Sequence, residues 1–125
     1  MDLKDIAYID ALFNVLDDLT YSPILICTQS LEAEEYVPKK LNSLDVHFAG
    51  ISENIESDKV NGVIALIDVE KVEGISTFQE WMSTLIERCR ENKQPIILTS
   101  HKKINEMQIM EKLKSRLLWG VYVEL

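Results

Sequence analysis

A chain of 125 residues with 46% hydrophobic and 27% charged side chains has the length of one domain and the composition of an ordinary globular one. Its formal net charge of −8 argues against unaided binding of DNA or RNA, whose phosphates are met by clustered Lys and Arg. The longest apolar runs, Pro23–Cys27 and Gly62–Ile67, are far too short to cross a membrane, and Asp2, Lys4 and Asp5 do not open a signal peptide, so a cytoplasmic location is expected.

Residues 3–19 set Ile6, Ile9, Phe13 and Leu16 at helical spacing, flanked by Leu12 and Leu19, opposite Lys4, Asp10, Asp17 and Asp18. Tyr21-Ser22-Pro23 ends that helix, and Ile24–Cys27 reads as a buried first strand. Ser30 is placed to cap a second helix running to about Leu44, with Glu32, Glu34 and Glu35 at its positive end and Pro38 as a possible point of division. Val46–Ala49 is a short second strand, 51–61 a polar connection, and Val63–Ile67 a fully apolar third strand. Ser76-x-x-Gln79 has the form of a capping box, opening a helix to about Asn92 whose apolar face is Phe78, Met82, Leu85, Ile86 and Cys89.

Pro95–Ser100 follows as a fourth strand. Asn105 is placed to cap a last helix with Met107, Met110, Leu113 and Leu117 on one face; Gly120 ends it, and Val121–Val123 is a fifth strand. The alternation predicts an α/β fold, a three-layer sandwich around a mainly parallel five-stranded sheet. Cys27 and Cys89 read as buried thiols. His47 and His101 have no Cys or His at ligand spacing, so no metal site is expected.

Two families share this order of elements. A response-regulator receiver would take Asp68 as acceptor and Thr99 as switch residue. It would also need an acidic cluster after the first strand, where this chain has Cys27-Thr28-Gln29, and a lysine after the fifth, where it has Glu124. The second resemblance is fuller and covers nearly the whole chain. Tyr21-Ser22-Pro23-Ile24-Leu25-Ile26 resembles the lead-in to a phosphate loop, Val63–Asp68 a Walker B strand, and Asn92–Ser100 the stretch ending in sensor 1. Leu113-Lys114-Ser115-Arg116-Leu117-Leu118-Trp119-Gly120 is similar to the arginine-finger box Leu-Lys-Ser-Arg-Phe-x-Trp-Gly. These segments resemble the AAA+ core of the bacterial DnaA/Hda family, with its P-loop NTPase topology. That resemblance implies that Pro95–Thr99 lies between the first and third strands; a receiver would pair the first and third directly.

The departures from the family pattern set the functional expectation. The segment Thr28–Glu35 has no glycine and no lysine, whereas a phosphate loop needs both to cradle and neutralise phosphates. In ungapped register the loop lysine falls on Glu34 and the following hydroxyl residue on Glu35. The Walker B pair becomes Asp68-Val69, with Glu70 one place on and expected to point away, and the sensor 1 position is His101. The sequence ends at Leu125, before the family's helical lid. With loop, lysine, second acid and lid absent together, neither ATPase activity nor a nucleotide or other cofactor is expected.

What the resemblance implies instead is a protein-interaction module that regulates or targets replication initiation, with DnaA or another replication factor as partner. The interaction residues are Arg116, with Lys112 and Lys114 beside it. Arg116 has a plainer reading as a helix-closing surface arginine, and Trp119 reads as core. Asp68 reads as a relic or a capping carboxylate, and Lys102-Lys103 as a solvated loop. Ile9–Phe13 faintly resembles a sliding-clamp peptide but fits core packing better. The rival readings are a weak nucleotide hydrolase or receiver-like phosphoacceptor using Asp68, and a homodimer.

Overall fold

Ile24-Leu25-Ile26-Cys27 carries no charged or amide side chain, as a strand covered on both faces must, and it becomes an interior strand of the sheet, paired on both sides. The computed structural model describes residues 2–125. In chain order its elements are α1 (Leu3–Asn14), β1 (Ile24–Cys27), α2 (Leu31–Asn42), β2 (Val46–Phe48), β3 (Val63–Leu66), α3 (Ser76–Glu91), β4 (Ile96–Ser100), α4 (Glu111–Leu117) and β5 (Val121–Glu124). The sheet order is β2-β3-β4-β1-β5, and every pairing is parallel. Ile24 lies opposite Ile97 on one side and Val121 on the other, and Ile96 lies opposite Ile64. β4 therefore stands between β1 and β3, as the AAA+ resemblance requires and a receiver sheet forbids.

The period of two along the strands divides the core into two layers. Leu25, Ile64, Leu66, Ile96 and Leu98 face Met82, Leu85, Ile86 and Cys89 of α3 and Leu113 and Leu117 of α4. Ile24, Ile26, Val63, Ala65 and Ile97 face Ile9, Leu12 and Phe13 of α1 and Val37 and Leu41 of α2. Burying each such side chain contributes roughly 1.5–3 kcal/mol. Ile9, Leu12 and Phe13 are thus committed to the core, as the packing reading of that segment expects. Cys27 and Cys89 are buried free thiols. No helix among the described residues is long and apolar enough to cross a membrane.

Several boundaries differ from the sequence reading, each for a local reason. The first helix stops at Asn14, and Leu19 falls in a separate 3-10 turn where it is 42% exposed. Asp18 supplies the reason, since its side chain accepts from Thr20 N and starts that turn afresh. Pro38 does not divide α2, which runs through it without interruption. The connection 51–61 is polar but anchored, with Ile55 and Ser57 buried.

The Ser76-x-x-Gln79 box is not formed: α3 is capped by Ile75 without a side-chain bond. Gln79 is buried and spends its amide elsewhere, donating to Val72 O and accepting from Met110 N. Asn105 does not cap the last helix either. Ile104–Glu106 forms a 3-10 turn, and α4 begins only at Glu111, after Gln79 has pinned Met110.

Gly120 is required by contact rather than by dihedral freedom. A Cβ there would fall on the backbone carbonyls of Pro23 and Tyr21, where nothing flexible can yield. The adjacent Val121 N donates to Pro23 O at 3.0 Å, which starts the β1–β5 ladder. Gly120→Ala is expected to cost about 2–3 kcal/mol by overpacking. Urea denaturation measures it; wild-type stability in the variant would show that the 21–23 segment can move aside.

Candidate functional site

The C-terminal edge of the strands is where open α/β sheets bind ligands, and it begins here with the connection from β1 to α2. That connection is three residues, Thr28, Gln29 and Ser30. Thr28 N donates to Ser100 O at 2.7 Å, while Gln29 N and Ser30 N donate to Leu125 O at 2.6 and 3.2 Å. Ser30 Oγ then accepts from Ala33 N at 3.1 Å and caps α2, as expected from the sequence. The backbone donors of Thr28, Gln29 and Ser30 are therefore already paired with β4 and the residue after β5.

Opposite this connection the ends of β3 and β4 bring Asp68, Glu70 and His101 together, with Glu34 reaching in from α2. Asp68 leaves β3 in the left-handed region, at φ 58° and ψ 60°, a conformation Asp tolerates better than most residues. Thr99 Oγ1 accepts from its backbone N at 3.1 Å and fixes that turn to β4. The reversal starts a 3-10 turn, Val69–Val72, that brings Glu70 back towards the sheet. Glu70 was expected to point away on an alternating strand end; the left-handed residue breaks the alternation. Its Oε1 accepts from His101 N at 3.0 Å.

His101 Nε2 lies 2.8 Å from Asp68 Oδ1 and its Nδ1 lies 3.1 Å from Glu34 Oε1. Asp68 is thus an ion-pair partner of His101, with Lys71 Nζ at 3.7 Å from its other oxygen, and makes no capping bond. The ligand atoms of Asp68, Glu70 and His101 lie within 4.8 Å of one another. Sequence spacing could not reveal this group, because its members come from two separate connections, those after β3 and β4, with Glu34 added from α2. The signal that was present is positional: Glu34 and His101 each stand at a departure from the nucleotide-binding pattern, and Asp68 stands at the Walker B position that is kept.

Two carboxylates accepting from one imidazole require both nitrogens to donate, so the geometry calls for the charged form. Burial opposes that charge, but Asp68, Glu34 and Glu70 outweigh it, and the His101 pKa is raised above 6.5. Other nucleophiles are weak here. Burial pushes the Cys89 thiol up to about 12 and also raises Cys27.

The three residues expected to meet a partner lie on α4, where it packs beside α3. Lys112 Nζ pairs with Glu80 at 2.8 Å, and Arg116 Nε with Glu87 at 2.7 Å. Arg116 also donates to Lys112 O, and its guanidinium carbon stands 5.2 Å from the Trp119 ring centre. Arg90 lies over the same ring at 4.5 Å. Lys114 is half-buried. Trp119 corrects the sequence reading. It is 37% exposed rather than core, because Gly120 is held against Tyr21–Pro23 and the indole lies outside, over a cleft lined by Leu19, Pro23, Cys89 and Arg90. Lys102 is tied as well, to Glu73 at 2.8 Å.

The strand order and the position of this edge define an AAA+-type, P-loop NTPase-like topology. Within it, the fold is that of a DnaA-like AAA+ core, as comparison with solved structures shows. Domain III of the Thermotoga maritima replication initiation protein DnaA matches 100% of this chain and 63% of its own, with a TM-score of 0.68 at 13% identity. Replication initiator DnaA bound to AMPPCP and single-stranded DNA matches 98% of this chain and 46% of its own, at 0.69 and 16%. AMPPCP-bound DnaA from Aquifex aeolicus matches 96% and 45%, at 0.68 and 18%. The chain thus spans less than two thirds of the length of each, and the likeness is one of fold. No family model and no curated protein matches the sequence.

The raised His101 pKa sets a pH dependence whose sign is definite. A group with a folded pKa above its unfolded value contributes stability fully below the unfolded pKa, about 6.5, and loses it as pH rises through the folded value. Thermal unfolding in metal-free buffer should therefore show stability falling above pH 6.5. In His101→Gln that part of the slope should vanish. The same slope in both proteins would mean that His101 is not charged in the fold.

Proposed function

We propose that this chain is a nucleotide-free, DnaA-like module that acts by binding a protein partner in replication initiation, with DnaA itself or another replication factor as that partner. The observation that carries this reading is the filled phosphate position. The amides of Thr28, Gln29 and Ser30 are spent within the protein, and Glu34 stands in the lysine register bonded to His101. A triphosphate arriving there would meet Glu34 and Asp68 at roughly 1 kcal/mol of repulsion per near pair in water, and more where shielded. Hydrolysis needs positioned phosphates and neutralised charge, and these residues supply neither. Reading Asp68 as a hydrolytic or phosphoacceptor carboxylate is disfavoured by its engagement with His101 and Lys71.

The partner surface in this reading is the α3–α4 face, with Arg116 at its centre and Lys112, Lys114 and Trp119 around it. Two arginines over an exposed tryptophan make a rigid aromatic and cationic patch, the composition that concentrates binding energy at interfaces. Arg116 plays a part in the fold as well, through Glu87, and the two roles separate by mutation.

Calorimetry with magnesium-ATP should give no saturable heat up to about millimolar ligand, where binding would still be worth roughly 4 kcal/mol. A micromolar dissociation constant would sink the nucleotide-free reading. For the partner surface, affinity capture from the native host read by mass spectrometry supplies the ligand, and affinities are then compared in variants. Arg116→Ala should weaken binding by about 2 kcal/mol. Glu87→Gln, which removes only the intramolecular ion pair, should leave affinity within about 0.5 kcal/mol of wild type. Equal losses in the two variants would reduce Arg116 to a structural residue.

A further inference from the structure

Beyond the partner reading, and independently of it, we propose that Asp68, Glu70 and His101 bind a first-row transition-metal dication of the Zn²⁺ type at the C-terminal edge of β3 and β4. The donor set is one imidazole and two carboxylates, with ligand atoms within 4.8 Å of one another. Metal–ligand distances of about 2.0–2.2 Å place tetrahedral ligand atoms about 3.4 Å apart, so the widest separation closes by up to about 1.4 Å and the 2.8 Å approach of His101 Nε2 to Asp68 opens, both within reach of side-chain rotation. An imidazole among carboxylates suits zinc and its neighbours, whereas magnesium and calcium take oxygen donors.

Two further observations point to a cation. Glu70 Oε2 is buried without a hydrogen-bond partner among the described residues, while Oε1 is bonded to His101 N. A carboxylate oxygen shielded from water and left unpaired is a lone pair awaiting a charge. The other is orientation. Glu34 Oε1 accepts from Nδ1 of His101, which is the carboxylate–histidine arrangement that aims the remaining nitrogen at a metal. That remaining nitrogen, Nε2, faces Asp68. Binding replaces the Nε2 proton, which leaves to solvent, and the metal takes over the charge that the imidazolium supplies to Asp68.

The anchoring elements are rigid. Asp68 is fixed through Thr99 Oγ1, and His101 follows directly on the buried strand β4. Three protein ligands leave room for water or a partner's side chain in the fourth position.

The test is calorimetric titration of Zn²⁺ into the tag-free, chelator-treated chain, with Co²⁺ absorption as a second readout. The expected result is one saturable site per chain in the micromolar range and visible Co²⁺ bands that depend on His101. Glu70→Gln should weaken binding about tenfold or more, Glu34→Gln about tenfold through misorientation of the imidazole, and His101→Gln should abolish the bands. Should His101→Gln fail to fold, the Glu70→Gln titration and the wild-type Co²⁺ spectrum still decide. No saturable binding up to millimolar Zn²⁺ would overturn the proposal, as would binding that His101→Gln and Glu70→Gln leave unchanged, the mark of scattered sites on an acidic surface. Neither result bears on the Arg116 surface, so the two readings fail separately.

Discussion

The position of β1 between β4 and β5 is the constraint from which the rest of the sheet edge follows. A strand paired on both sides and covered on both faces leaves the chain one exit, upward at its C-terminal end. In this protein that exit is only three residues long, and its backbone donors bond to the neighbours on either side, Ser100 O and Leu125 O. A phosphate-binding loop works by leaving such donors unpaired and convergent on a ligand. Here the sheet itself completes them. The consequence is a junction whose three amides are held by the sheet.

The acidic side chains at this edge then become a problem of electrostatics. Asp68 and Glu70 after β3 and Glu34 on α2 converge around His101, and like charges at such separations repel. His101 answers for all three, through two ring nitrogens and its backbone N–H. The single imidazole also ties α2 to the β3 and β4 ends, while Lys71 adds a second positive charge beside Asp68. The same arrangement, with the proton exchanged for a metal, is the basis of the zinc proposal. The α3–α4 face is a separate matter. There Arg90 and Arg116 over Trp119 form a surface that owes nothing to the sheet edge.

Much of the fold was legible because the buried strands carry unbroken apolar runs and the amphipathic helices carry clear stripes. Ile24–Cys27, Val63–Leu66 and the α3 face from Phe78 to Cys89 needed no more than periodicity. What escaped were side chains that chose a distant partner over a local one. Gln79 passes over its own helix end to bond Val72 and Met110, which voids the capping box and delays α4. Glu70 returns to the sheet because Asp68 adopts a left-handed conformation that no spacing rule foresees. Trp119 lies outside because its neighbour Gly120 is pressed against Tyr21–Pro23. His101 stood in the sequence as a departure at the sensor position, but its company became visible only when α2 and the connections after β3 and β4 met in space.

The central claim is that the amides following β1 are structural and no longer available to phosphates. Site-resolved hydrogen exchange of Thr28, Gln29 and Ser30, read by NMR with and without millimolar magnesium-ATP, tests it most directly. All three should be protected to the level of the β1 core, and nucleotide should leave that protection unchanged. Rapid exchange at Gln29 and Ser30 that slows on adding nucleotide would contradict the claim, for it would mean that the loop is open and still awaits its phosphates.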